Sequence, residues 1–239
     1  MAGETIRSEA ICLDVRPWSR TSHVVTWLTP VGRVTTLVKG AVRPKSAFLG
    51  QYDLNYTCEI LYYARARGEM HALRECSPTD LRESLRGDYR ALALAGYARA
   101  LANVLAPAGE ECRPWYELLA RFLSAAAFGV RELVGLELAV LRLSGMCPDF
   151  SAFDRKAEWL PFSLETGVIG ASGGRSVRLS RDTAAFLADP TRPVKNMQTP
   201  LDAARVIGVF YQFQLDCASD VRRSVLGMIS STKQGESGK

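Results

Sequence analysis

The residue types that could make or break a bond are few and scattered. Only two histidines occur, His23 and His71, and both fall in β-rich stretches, where a partly buried strand position suits them better than general-base work. The six cysteines, Cys12, Cys58, Cys76, Cys112, Cys147 and Cys217, contain no CxxC pair and are expected to be buried thiols. No GxSxG elbow, HExxH helix or GxxxxGK[ST] loop is present. "TGVIGASGG", from Thr166, has a loose glycine pattern without the flanking βα context of a dinucleotide loop, and is expected to be a plain loop. Glu110 and Glu111 lie beside Gly109 with nothing to organise them. What stands out is charge. From Arg16 to Tyr52 the chain carries Arg16, Arg20, Arg33, Lys39, Arg43 and Lys45 and no Asp or Glu. The chemistry open to such a run is electrostatic: neutralising a polyanion and releasing its counterions.

The elements that must hold those cations follow from hydrophobic period. In "LNYTCEILYY", Leu54, Tyr56, Cys58, Ile60 and Tyr62 share one phase and Asn55, Thr57 and Glu59 the other, which is the alternation of a half-buried strand. "SHVVTWLT" and "RVTTLVKG" flank a turn holding Pro30 and Gly32, and "TIRSEAICLDV" and "MHALREC" complete five strands. Five short, closely spaced strands suggest a small barrel or sandwich. Lys39, Arg43 and Lys45 then fall in a loop punctuated by Gly40 and Pro44, and Arg65 and Arg67 in the connection between the last two strands.

After Cys76 the period changes. Ser77, Pro78 and Asp80 read as a helix start, with Leu81, Leu85, Tyr89, Leu92, Gly96 and Tyr97 following at helical spacing. "RPWYELLARFLSAAAF" and "RELVGLELAVLRLSGM" are amphipathic, and Thr199, Pro200 and Asp202 open one long helix or a broken pair. The expected class is α+β: a five-stranded barrel over residues 1–77, a helical domain over 78–230 with an irregular insertion at 147–178, and a polar, disordered tail at 231–239.

The chain has 239 residues, 23% of them charged, a net charge of +5 and a pI of about 9.0. That balance is compatible with polyanion binding, but the segregation of the charge says more than its total. No apolar run of about 18 residues predicts a membrane span, and the acidic opening stretch, with Glu4, Glu9 and Asp14, predicts no secretory leader.

The segment from Arg16 to Cys76 resembles the N-terminal domain of the RecO family of bacterial DNA repair and recombination mediators. The resemblance rests on Lys39, Gly40, Ala41, Arg43, Pro44, Lys45 and Ser46, on the Thr29–Gly32 turn before them, and on the tyrosine-rich strand and the Leu73–Glu75 segment after them. It is collinear through the helical part to about Ile229. It implies an OB-fold barrel followed by helices, no enzymatic activity and no cofactor. The implied role is to bind single- and double-stranded DNA, anneal complementary strands and assist recombinase loading on DNA coated by single-strand-binding protein. Implied partners are RecR and the C-terminal tail of single-strand-binding protein, with RecF functionally linked, in the bacterial cytoplasm near the nucleoid and away from membranes. By the same resemblance Lys39, Arg43 and Lys45 are DNA contacts. Composition adds Arg20, Arg33, Arg65 and Arg67 to them, and Arg99, Arg121 and Arg142 as rim residues for a partner peptide.

One departure is plain. Many relatives hold zinc with four cysteines in the insertion, but here Phe153 and Lys156 stand at the first pair of positions and no cysteine serves the second. Cys147 alone cannot build a tetrahedral site, so no metal is expected. Two other readings stay open: an OB-fold module acting on structured RNA or in translation, and an enzyme using the glycine loop with a nucleotide cofactor. Among the aromatics, Trp18 and Phe48 are the ones expected at the surface, where a base could stack on them.

Overall fold

The computed structural model describes residues 4–65, 70–108, 112–151, 157–170, 174–215 and 219–230. They form two compact units, Met1–Ala125 and Ala126–Lys239. The first contains strands β1 (Thr5–Ser19), β2 (Ser22–Thr29), β3 (Gly32–Val38), β4 (Thr57–Tyr63) and β5 (Met70–Asp80) and helices α1 (Glu83–Arg86), α2 (Tyr89–Leu105) and α3 (Arg113–Leu123). The second contains α4 (Val130–Leu143), β6 (Trp159–Ser163), β7 (Ser176–Ser180), α5 (Arg181–Ala188), α6 (Gln198–Leu215) and α7 (Ser219–Ser230).

The five strands close into a barrel in the order β1-β2-β3-β5-β4, with β4 returning to β1. This is an OB-fold: all pairings are antiparallel except the short parallel closure of β3 on β5, where Thr35, Thr36 and Leu37 face Met70, His71 and Ala72. Closure works because β1 is long. Its first half pairs with β4 and its second with β2, and a bulge at Leu13 turns it from one to the other. Inside lie Ala10, Cys12, Val25, Trp27, Val34, Val38, Cys58, Ile60, Tyr62, Leu73 and Cys76. The buried Trp27 indole donates to the Thr36 hydroxyl at 2.9 Å, so its polar hydrogen is not stranded in the core. Ile11, Leu13 and Leu28, on the opposite parity, are equally buried on the face that α2 and α3 cover.

The expected helix start at Ser77 is overturned. β5 continues through Asp80, with Ser77 opposite Glu59 and Pro78 opposite Cys58, and only a four-residue helix follows. Ser77 and Pro78 carry cap-like chemistry, but the open flank of β4 offers them a strand partner, and ladder pairing prevails. Pro78 is tolerated because it lies beside a register shift near the strand end. The phase read for the next helix also differs. α2 buries Ala91, Leu94, Ala95, Tyr97, Ala98, Leu101 and Ala102, while Leu81, Tyr89 and Leu92 are exposed. Small alanines carry the interface there, and they gave the weaker sequence signal.

In the second unit, α4, α6 and α7 surround an ion pair. Glu137, wholly buried, accepts from Arg222 Nε at 2.6 Å and from Arg222 Nη2 at 2.9 Å, and Nη2 also donates to the Ala204 carbonyl at 2.6 Å. The long C-terminal stretch resolves into a pair of helices. The insertion forms the β6–β7 hairpin, and "TGVIGASGG" is its connection. Phe150, Phe162 and Phe210 stack in sequence, with ring centroids 5.1 and 5.4 Å apart.

Candidate nucleic-acid interface

The barrel registers gather two connections at one end. His23 faces Val38, so the β1–β2 turn and the start of the loop after β3 open on the same rim. Arg20 lies on the first and Lys39, Arg43 and Lys45 on the second, and all four are exposed. Arg65 is exposed too, but β3 and β5 pair in parallel, so the connection into β5 that it begins leaves the barrel in the opposite direction from the loop after β3.

The basic loop is a run of tight turns. Arg43 N–H donates to the Gly40 carbonyl at 3.1 Å, Ser46 to Arg43 at 2.9 Å, Leu49 to Ser46 at 3.3 Å and Gln51 to Phe48 at 3.1 Å. Gly40 has φ +66°, a left-handed conformation that side chains disfavour, and a Cβ there would stand 3.2 Å from Arg43 Cδ. The loop is pinned to the barrel by Ala41, which is buried in its core, and by Phe48 and Tyr52, which pack against that core. Tyr52 OH lies 2.9 Å from His23 Nδ1, and the Gln51 carbonyl accepts from both Cys58 Sγ at 3.6 Å and Cys76 Sγ at 3.5 Å. Two further bonds tie it to the neighbouring turn: Val42 N–H to the Thr21 carbonyl at 3.3 Å and Gly40 N–H to Ser22 Oγ at 3.2 Å. They hold Arg20 beside Lys39 and Arg43.

Electrostatically this rim is unopposed. Among the described residues, Arg20, Lys39, Arg43 and Lys45 form no ion pair, and Arg16, lower on β1, pairs with Asp14. Elsewhere on the barrel Arg7 is shared between Glu59 and Glu75.

Several expected residues do not join the group. Arg33 stands at the far end of β3, and its guanidinium donates to the Asn103 carbonyl of α2. Its backbone also bonds to the carbonyl of Pro107, so it clamps helix to barrel. Arg99 is partly buried, its pKa lowered by desolvation, and it donates to the Leu13 carbonyl in the β1 bulge; it also lines a cleft of about 300 Å³ with Asp53, Leu81, Arg86 and Leu92. Arg67 falls outside the described residues. Arg121 is exposed on α3. Arg142 opens on a cleft of about 330 Å³ walled by Leu138, Pro148, Phe150 and Leu187, with Asp149 beside them.

Four cysteines are core residues, and both histidines are partly buried strand positions. Burial pushes the Cys12 thiol up, and a hydrogen bond from the Cys58 thiol to Cys76, then burial, raises Cys58, so both stay neutral thiols. Cys112 is buried as well, whereas Cys147 is exposed, against expectation, and Cys217 lies outside the described residues. Phe153 and Lys156 also lie outside them. Among the described residues no three His, Cys, Asp or Glu side chains converge on a metal-sized site. Nor is any described helix long and apolar enough to cross a membrane. Of the two surface aromatics expected, Trp18 is 61% exposed, while Phe48 is half-buried against the core.

Comparison with known proteins agrees with this geometry. Residues 1–82 match the family described as "Recombination protein O N terminal". The chain is 27% identical over 153 residues to "DNA repair protein RecO" of Alkaliphilus metalliredigens, a match covering 62% of this chain and 61% of that protein. It is 30% identical over 151 residues to the protein so described in Roseiflexus sp., covering 62% and 53%, and 32% identical over 146 residues to that of Rhodopirellula baltica, covering 58% and 53%. The chain thus spans between about half and three fifths of the length of these relatives. The barrel and its basic rim lie in the matched region, so residues 1–82 carry the likeness of this chain to the RecO family.

Proposed function

We propose that this chain serves DNA repair and homologous recombination as a mediator that binds nucleic acid and makes or breaks no covalent bond. It holds single- and double-stranded DNA by the sugar–phosphate chain, brings complementary strands together and assists recombinase loading on strands coated by single-strand-binding protein. The observation that carries this reading is the cluster of Arg20, Lys39, Arg43 and Lys45, exposed at one end of a closed barrel and free of ion pairs among the described residues.

The physics suits annealing. Two phosphate backbones repel until cations lower the repulsion between them. Phosphate contacts leave base edges unread, so binding is tolerant of sequence and pairing can proceed. Arg65 is a further exposed cation, on the β4–β5 connection to which Arg67 also belongs. Arg33 and Arg99 are assigned to holding the fold. RecR and the acidic-apolar tail of single-strand-binding protein are the partners expected, with RecF linked in function. The cleft beside Arg142 offers the tail apolar walls and one cation, with Asp149 as the one acid on its lining, and Arg121 is a further exposed cation. The working place is the bacterial cytoplasm, at the nucleoid.

The test replaces Lys39, Arg43 and Lys45 together with Ala and measures single-stranded DNA affinity across a salt series. Loss of three phosphate contacts should weaken binding at low salt and lower the logarithmic salt slope by about 2. Annealing of complementary strands coated by single-strand-binding protein should fall with it. Unchanged affinity and slope would refute the assignment. Preference for structured RNA over DNA in the same titration would favour the RNA-module reading instead.

A further inference from the structure

Five large aromatic side chains are exposed among the described residues: Trp18, Tyr63, Tyr89, Trp159 and Phe213. Four are covered by an arginine. Arg74 lies over Tyr63 at 5.8 Å, Arg90 over Tyr89 at 5.5 Å, Arg178 over Trp159 at 5.3 Å and Arg175 over Phe213 at 5.9 Å. Trp18, the most exposed of them, has no ring or cation partner among the described residues.

Its position has a structural cause. Pro17 pairs with His23 and Ser19 pairs with Ser22, so the register slips by one and Trp18 is the extra residue of a β-bulge. A bulge re-aims the side chain it carries and frees it from the ladder. The bulge falls two residues before Arg20, on the turn that Val42 and Gly40 hydrogen-bond to the basic loop. A bare indole is thus fixed at the edge of the cationic rim, on a strand whose backbone is fully paired on either side.

We propose that Trp18 is a base-stacking platform, and that it makes the rim selective for single-stranded nucleic acid. This rests on the nucleic-acid reading above and deepens it. A base in a duplex is stacked on both faces and cannot lie on the indole, whereas a base in a single strand has a face to give. Stacking engages that face and leaves the pairing edge open, so a strand held by Trp18 and the neighbouring cations can still be met by its complement. The cations serve both forms of DNA and Trp18 serves one. Apolar indole surface that is now wet is buried only when a base covers it.

The test compares Trp18→Ala and Trp18→Phe with the unaltered chain on an oligothymidylate and on a duplex of equal length, each across a salt series. Trp18→Ala should lose roughly tenfold or more on the single strand, the affinity one stacked base supplies. The duplex affinity and both salt slopes should not change, because no phosphate contact is removed. Trp18→Phe should recover part of the loss. Tryptophan fluorescence should be quenched by oligothymidylate in the unaltered chain, and that quenching should largely vanish in Trp18→Phe, because Trp27 and Trp115 are buried and Trp159, though exposed, lies under Arg178 in the second unit. Equal loss on both DNAs, a changed salt slope, or no loss on the single strand would overturn the proposal. So would a Trp18→Ala phenotype confined to a partner protein. If Trp18→Ala is silent while the Lys39, Arg43 and Lys45 replacement abolishes binding, only the stacking role fails. If both are silent, the nucleic-acid reading fails with it.

Discussion

The amide of Val42 donates to the carbonyl of Thr21 at 3.3 Å, across two connections that the antiparallel pairing of β2 with β3 brings to one end. In this closed barrel the contact joins the basic loop to the β1–β2 turn, so that Arg20 and Trp18 share a rim with Lys39, Arg43 and Lys45. Rigidity matters here, because cations held in place lose less freedom on meeting a phosphate chain than cations on a floppy segment.

Gly40 sets the shape of that rim. Its φ of +66° and the nearness of the Arg43 side chain make any Cβ unwelcome. Gly40→Val should cost about 1–3 kcal/mol through left-handed strain in a β-branched residue and should displace Arg43. The expected outcome is a barrel that still folds, by circular dichroism, with weaker DNA binding. Normal affinity in Gly40→Val would show that the turn geometry is irrelevant to the contacts.

Arg33 tests the division between clamp and rim. It lies in the same acid-free run as Lys39, yet its guanidinium bonds to α2. Arg33→Ala should lower stability by about 1–3 kcal/mol, the loss of a charged hydrogen bond with an acceptor left unmet. DNA affinity per folded molecule and its salt slope should be retained. A reduced slope would move Arg33 into the interface.

The pair of Glu137 and Arg222 is set in the interior of the second unit, and Gly208 makes room for it: a Cβ at Gly208 would lie 2.2 Å from Arg222 Nη1. Glu137→Leu leaves a buried guanidinium without its counter-charge and should destabilise by about 3–5 kcal/mol in urea unfolding. Combining it with Arg222→Met removes the stranded charge and should recover much of the loss. Additive losses in the double variant would count against a direct pair.

His71 gives the barrel a pH dependence of known sign. Burial first, then the charge of Arg65, lowers its pKa below 6.5, and its Nδ1 accepts from the Arg65 amide at 3.2 Å, which requires that nitrogen to be unprotonated. The unfolded chain then binds the proton more readily than the folded one. Stability from this residue is complete above about pH 6.5 and falls as acid carries the solution through the folded value. His71→Gln should flatten the melting-temperature profile between about pH 7 and pH 5. A steeper profile in that variant would contradict the sign.

Much of this was legible in the residues alone. Alternation of apolar side chains marked five strands, because a strand shows one face to a core and a period of two survives in any sequence that does so. The absence of acids between Arg16 and Tyr52 marked the region proposed to meet nucleic acid, because charge composition needs no coordinates. Helical spacing placed α3, α4 and the α6–α7 stretch. Three matters belonged to the tertiary structure. Ser77 and Pro78 went to a strand because β4 was there to pair with them. Arg33 lies at the start of β3 and Lys39 follows its end six residues on, and packing of α2 against the barrel engaged the first while the second stayed on the rim. Trp18 became a bare platform through a one-residue slip in register. Local pattern determines which face of an element is apolar. Which end of a barrel a cation occupies, and whether anything covers it, depends on strands brought together from distant parts of the chain.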